Sequence, residues 1–505
     1  MKVVGNTESI CPLCYQDGKI NKINAQLIED QKKIWMFKKC SIHGFIKEVY
    51  FDDEDIYNKW MTYKVTGKPV PEIKTSLFNE PPLYEVHLSF PVLTNIIVTN
   101  RCNLRCSDCS LNALNAGYIY EPQLEQLKEL IRQAKEGTPL GSFAIQIAGG
   151  EPTLRNDLFE IINYIKKIGF SHLQIQTNGI LLAENIDYCH RLKKEGVDTI
   201  YMKFNGVTVE TNPLLLTHIK ALNNLKNANL DVVLEPILIR SRNVHEAGKI
   251  IRFALDHLDA VRGVHFVPQM FYGGTTKITE DEHHLQQVDF IHVITEIERE
   301  FSGIISREDF YPIPLIDQLS QLVEMMSREL QIRFTAHPLC GASTFLYMKD
   351  GKPLPITRFL NVDTIIQFIT DQKKKKGLPE KLRFAGALVK NIDSFIEKEK
   401  APHGFDLRRI AKDIVIGGDN YAMREFHRKT LFIGFMSYQN AWNLDIDQLR
   451  RCVVQYSTTE GLLPYCMYHG LGYGEKIQKK HSISIVEWEK KTNQRLVDDL
   501  FKNTK

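Results

Sequence analysis

A chain of 505 residues has room for two or three domains and at least one large core, and its 43% hydrophobic and 25% charged composition is ordinary for a globular protein. Its 64 basic and 61 acidic side chains leave a net charge of +3, so the balance gives no reason to expect nucleic acid as a partner. No apolar run reaches the length of a membrane span, and Met1–Ile10 lacks the charged start and apolar core of a signal peptide. A cytoplasmic location is the expectation, and there ten cysteines ask for metal rather than disulfides.

Residues 1–80 read as a small separate unit with its linker. Cys11-Pro-Leu-Cys14 opens it and Cys40-Ser-Ile-His43-Gly44 closes it, around alternations such as Lys33–Phe37 that suit a small sheet. Cys11, Cys14, Cys40 and His43 are two short ligand pairs, which suit tetrahedral zinc or a mononuclear iron of rubredoxin type. His43, placed before Gly44, also reads as a turn residue. Lys64–Pro82 carries Gly67, Pro69, Pro71, Pro81 and Pro82 and reads as a linker.

Residues 90–275 fall into a regular beat. Strand-like runs at Thr94–Thr99, Phe143–Ala148, His172–Thr177, Thr199–Phe204, Asp231–Leu238 and Val261–Val267 alternate with helix-like stretches. These are Gln123–Lys135, Leu158–Ile168, Asn185–Glu195, Leu214–Ala228 and Val244–Leu258. The beat predicts an α/β fold, a partial (βα)6 TIM-like barrel with chemistry at the C-terminal ends of its strands. Residues 276–505 read as an α+β region. Glu280–Glu300 and Pro314–Leu330 look helical, Thr335–Asp363 has strands and turns, and short elements surround Cys452 and Cys466. Lys373–Lys376 reads as a solvated loop, with an anionic head group, and so peripheral membrane contact, as the other option.

The loop past the first barrel strand carries Cys102, Cys106 and Cys109, a C-x3-C-x2-C spacing. Three thiolates are what an open-site [4Fe–4S] cluster needs, whereas structural zinc wants four ligands. Gly149-Gly150-Glu151-Pro152 ends the second strand and Gln176-Thr177-Asn178-Gly179 the third, each an ordinary turn alone but specific in this order. Cys189 shares a helix face with Ile186 and Leu192 and reads as core. Glu235 and His265 sit at strand ends, where they face the mouth or simply pack, and Pro268–Gly274 lines a channel or a core.

Cys102/Cys106/Cys109, Gly149–Pro152 and Thr177–Gly179 in successive βα units resemble the radical S-adenosylmethionine (SAM) superfamily. That likeness implies SAM chelated to the free iron of a [4Fe–4S] cluster near Gly149, Gly150 and Glu151, a 5′-deoxyadenosyl radical, and abstraction of hydrogen from an unactivated carbon. Pro152, Thr177, Asn178 and Asn205 complete the implied cofactor surroundings, and a low-potential electron donor is implied as a partner.

Further segments widen the likeness. Cys-Pro-x-Cys…Cys-x-x-His-Gly, Val98–Leu104, Tyr118–Pro122, Val261–Val264, His337–Gly341 and Leu463–Tyr468 resemble the archaeal tetraether lipid synthase group, whose members join lipid alkyl chains. By that likeness Cys340, Cys452 and Cys466 bind an auxiliary [4Fe–4S] cluster; read alone, they are also three buried thiols. The chain departs from the group in lacking a CPxxCGLC motif before the first strand, in Asp108 and Ser110 around Cys109, and in Asn205 where an aspartate is usual. The expectation is a radical SAM enzyme acting on a lipid alkyl chain by C–C bond formation. Methylation or other modification of a small heterocycle or peptide is the alternative, and a non-catalytic iron–sulfur electron carrier the third reading.

Overall fold

The computed structural model describes residues 1–500 apart from 107–108, 112, 138–139, 271–278, 328–330, 375–379 and 417–420. Alternation builds the N-terminal unit: β1 (Lys2–Ile10), β2 (Lys22–Asp30), β3 (Lys33–Cys40) and β4 (Gly44–Phe51) form an antiparallel sheet in chain order. In β3 every second residue, Ile34, Met36, Lys38 and Cys40, is buried, as a half-covered strand requires. Ile34 and Met36 join Ile56, Tyr57 and Trp60 of helix Glu54–Met61 in the same apolar cluster as the barrel core, so the unit is docked rather than tethered. The expected linker also packs. Val70 and Ile73 are buried with Phe90 and Leu462, because their apolar side chains have a sheet edge to cover.

The barrel follows: β5 (Leu93–Thr99), a short β6 (Tyr118–Ile119), β7 (Ala144–Gly149), β8 (His172–Thr177), β9 (Thr199–Lys203), β10 (Asp231–Glu235), β11 (Ile237–Leu238) and β12 (Val261–Pro268). Strands β5, β7, β8, β9, β10 and β12 are neighbours in that order and parallel throughout. Helices Leu124–Lys135, Leu158–Ile168, Ile186–Lys194, Leu215–Asn227 and Ala247–Asp256 cross between them. Their buried stripes, such as Leu127, Leu130, Ile131 and Ala134, cover the sheet. The expected strand Asp231–Leu238 is broken at Pro236, which has no N–H for the ladder.

Beyond residue 276 come β13 (Tyr311–Pro312), β14 (Gly341–Lys349), β15 (Lys352–Pro355), β16 (Thr430–Met436), β17 (Val454–Thr458), β18 (Gly461–Pro464) and β19 (Ile483–Ser484), the last paired with β6. Strand β16 adds parallel to β12, and β17 adds parallel to β5 on the opposite flank, so that among the described residues β16 and β17 end on the same rim as the barrel strands. Antiparallel β14 and β18 border them. The stretch Glu280–Glu300 is two helices rather than one, Glu280–Gln286 and Phe290–Glu300, because Gln287 and Asp289 are extended and Asp289 caps the second. Among the described residues no helix is long and apolar enough to cross a membrane. Phe271–Gly274 and Lys375–Lys376 lie outside the described residues.

Candidate functional site

Strand β5 ends at Thr99, and the chain leaves the sheet through Asn100 and Arg101 into Cys102. Asn100 is pinned to the next element: its Oδ1 accepts from Tyr120 N at 2.9 Å and its Nδ2 donates to Tyr118 O at 3.0 Å. The end of β7 lies directly against this exit. Gly150 N donates to Thr99 O and Glu151 N to Arg101 O, both at 2.8 Å. A Cβ on Gly149 would stand 2.3 Å from Thr99 O, and one on Gly150 2.3 Å from Arg101 O. The paired glycines are therefore demanded by backbone packed on backbone, which holds the Cys102 loop to the second strand end.

Glu151 joins three loops. Its buried carboxylate accepts from Thr153 N (3.1 Å), Thr153 Oγ1 (2.6 Å), Thr177 Oγ1 (2.8 Å) and Asn178 N (2.7 Å). Asn178 Nδ2 then donates to Asn103 Oδ1 at 2.8 Å, back on the cysteine loop. Burial holds the Glu151 carboxyl above the usual carboxylate range, against the pull of these donors. Arg155 braces the same turn through Val98 O (2.7 Å) and Pro122 O (2.9 Å). Asn103 and Arg155 escaped the sequence reading; their signal was adjacency to the two motifs.

Cys102 is buried, while Cys106 and Cys109 are half-buried. Burial, and then the Glu151 charge, push the Cys102 thiol up to about 12. A thiolate there needs a cationic partner, so three soft sulfur donors on one loop fit an iron–sulfur cluster. Ser110 is half-buried beside them, and Asp108 lies outside the described residues.

Other expected positions fall into place differently. Glu235 accepts from Gln176 Nε2 at 2.5 Å, at the ends of β10 and β8. Asn205 Oδ1 accepts from Ile237 N at 3.0 Å and so ties the β9 exit to β11. His265 is half-buried and packed edge-on to Tyr201, and burial takes its pKa down to about 4. Cys189 is fully buried in the barrel core.

Two further cysteine groups assemble. Cys452 and Cys466 lie side by side with Cys340 close to both, and the Cys452 Sγ donates to Val454 O at 3.1 Å. They come from three separate places: the turn before β17, the short helix Tyr465–Tyr468 after β18, and the helical turn Pro338–Cys340 before β14. In the N-terminal unit, Cys14 Sγ is 3.8 Å from Cys40 Sγ, and His43 Nδ1 lies 3.4 Å from Cys11 Sγ, 3.4 Å from Cys14 Sγ and 3.8 Å from Cys40 Sγ. Four donors about 2.0–2.3 Å from one tetrahedral ion stand at about these edges, so the Cys3His set fits zinc and His43 is in ligand position, not merely in a turn.

The comparisons with known proteins agree with this chemistry. Residues 96–254 match the radical SAM superfamily and residues 3–52 match the HMPTM N-terminal zinc ribbon domain. Barrel and zinc ribbon together define a radical SAM enzyme, one that uses a [4Fe–4S] cluster and SAM and carries zinc in its N-terminal ribbon. It is 35% identical over 501 residues, 96% of this chain and 97% of the relative, to the 7,8-dihydro-6-hydroxymethylpterin dimethyltransferase of Methanocaldococcus jannaschii, and the chain belongs to that family. A probable GTP 3′,8-cyclase of Saccharolobus solfataricus is 29% identical over 195 residues, 37% of this chain and 60% of the relative. The solved structure of methylornithine synthase (PylB) matches with a TM-score of 0.32 and 13% identity, over 43% of this chain and 64% of that one. These findings correct the likeness to tetraether lipid synthases: the near-full-length relative is named for methylating a heterocycle, and lipid chemistry has no support among them.

Proposed function

We propose that this enzyme methylates a reduced pterin or a heterocycle of that kind at an unactivated carbon, rather than coupling lipid chains. The observation that carries the reading is the 35% identity over 501 residues to a pterin dimethyltransferase, which runs through the zinc ribbon, the barrel and the C-terminal strands alike. A [4Fe–4S] cluster with SAM bound there would supply the radical chemistry that removes a hydrogen atom from a substrate carbon. The chain's own residues do the rest. Cys102, Cys106 and Cys109 hold the cluster, and Gly149–Pro152, with Thr177, Asn178 and Asn205, shape the surroundings of SAM. Cys340, Cys452 and Cys466 hold an auxiliary [4Fe–4S] cluster.

A cavity on the same rim receives the substrate. It opens at the ends of β12 and β16 and is lined by Gln269, Asp289, Gln439, Asn440, Tyr438 and Phe290, among others. Amide and carboxyl groups beside aromatic faces suit the polar edge and flat body of a heterocycle better than an alkyl chain. Gln439 N also donates to Cys466 Sγ at 3.5 Å, which sets this cavity next to the cysteine trio.

Anaerobically reconstituted enzyme, given dithionite, SAM and 7,8-dihydro-6-hydroxymethylpterin, should release 5′-deoxyadenosine and yield pterin carrying added methyl groups once a methyl source is supplied. Lipid vesicles in place of the pterin should yield neither. A Cys102→Ala variant should lose 5′-deoxyadenosine formation and about four irons. Cys466→Ala should lose the auxiliary irons and keep SAM cleavage. Alkyl coupling in vesicles with an untouched pterin would sink the reading.

A further inference from the structure

We infer that Glu48, His283 and His284 form a second divalent-metal site, at the seam where the zinc ribbon meets the barrel. Glu48 lies on β4, where alternation turns Ile46 and Glu48 to the covered face. A carboxylate thus occupies a core position, fully buried, and neither of its oxygens receives a hydrogen bond. Such a charge is tolerated only beside a cation. What faces it is a pair of imidazoles: His283 Nδ1 lies 3.4 Å from Oε2 and His284 Nδ1 3.4 Å from Oε1. All three donor atoms lie within 4.8 Å of one another.

The spacing is informative. A charge-assisted N–H···O contact would close to about 2.7–2.9 Å. Donors bound to one ion at about 2.0–2.2 Å in tetrahedral array stand roughly 3.4 Å apart. The Cys3His ribbon site shows the same agreement with its own, slightly longer, edges. Two nitrogens, one carboxylate and an open position make a donor set suited to zinc or another divalent first-row ion. Neighbouring cations are engaged elsewhere: Lys33 pairs with Asp52, and Arg240 Nη1 donates to His284 O at 3.1 Å.

The surroundings place the ion as a clamp. Trp442 stacks on His283, with ring centroids 5.6 Å apart, and packs in one cluster with Cys11, Cys14 and Cys40, so both metal centres grip the same indole. The helix Glu280–Gln286 that carries the histidines runs straight into Gln287, Val288 and Asp289, which line the cavity at the strand ends. Metal on Nδ1 leaves the ring proton on Nε2, 3.2 Å from Asn440 Nδ2, while Asn440 Oδ1 accepts from Trp442 N at 2.8 Å. Loading would require the Asn440 amide to turn so that its oxygen accepts from the ring, the usual outer partner of a metal-bound histidine, in exchange for its bond from Trp442 N.

Full-length, cluster-loaded protein, washed with a chelator that leaves the ribbon zinc in place, should take up one equivalent of Co2+, with a high-spin cobalt EPR signal. Glu48→Gln and His284→Ala should each weaken that uptake roughly 100-fold or more, with ribbon zinc and iron content unchanged. His284 is half-exposed, so its variant folds even if the buried carboxylate proves essential. Native protein that binds no cobalt, or variants that bind it as tightly as native, would overturn the site and leave Glu48 in a plain ion pair with its histidines.

Discussion

Glu151 shows how much one side chain carries here. Its two oxygens meet four donors from the strand ends of β7 and β8, and a second amide pair, Asn178–Asn103, closes the circuit onto the cysteine loop. Glu151→Gln keeps the shape but exchanges one acceptor for an NH2 group among groups that donate. At least one buried donor is then left without an acceptor, at a cost of about 1–3 kcal/mol. Because the disturbed contacts reach the loop that carries Cys102 through Asn178 and Asn103, 5′-deoxyadenosine formation should fall at least about tenfold, with a lower melting temperature. An anaerobic turnover assay beside a thermal melt checks both; a fully active Glu151→Gln enzyme would show that the network does not position the loop.

At the scale of elements, the contact between the β5 exit and the β7 end is backbone on backbone. Gly150→Ala would set a methyl group 2.3 Å from Arg101 O and 2.7 Å from Asn100 O, neither of which belongs to a flexible side chain. The loop must shift, so the variant should bind less than half the native cluster iron after identical reconstitution, which iron and sulfide analysis reads directly. The six βα units were legible because strand and helix periodicities alternate locally and Gly, Pro and Asn mark each exit. His172–Thr177 and Leu158–Ile168 stand where the pattern puts them. Strands β16 and β17 were not, because their partners β12 and β5 are remote in sequence and pairing at that distance leaves no local sign. The histidines of the ribbon seam were missed for the same reason: only folding brings His283 and His284 to Glu48, although two adjacent histidines were a visible hint.

The whole molecule is a barrel whose flanks are closed by its own C-terminal strands and whose ribbon is locked on by Asp445, which accepts from Thr7 Oγ1 and Tyr50 Oη, both at 2.5 Å. Such a continuous interior traps titratable groups, and they set its acid stability. Burial lowers the pKa of His265 to about 4, and does the same for His218 and His337. All three are neutral in the fold and become protonated near pH 6.5 once the chain unfolds. Between those values the unfolded chain holds more protons, so their contribution is complete above pH 6.5, declines as pH falls, and is gone below about 4. One such histidine is worth at most about 3.4 kcal/mol. His265→Gln cannot take up that proton in either state. Its stability should therefore fall less steeply than native between pH 6.5 and 4.5, the slopes differing by up to about 1.4 kcal/mol per pH unit in paired denaturant titrations. Because cluster loss in acid affects both proteins alike, the difference isolates the histidine, and parallel slopes would place its proton in solvent rather than in the barrel wall beside Tyr201.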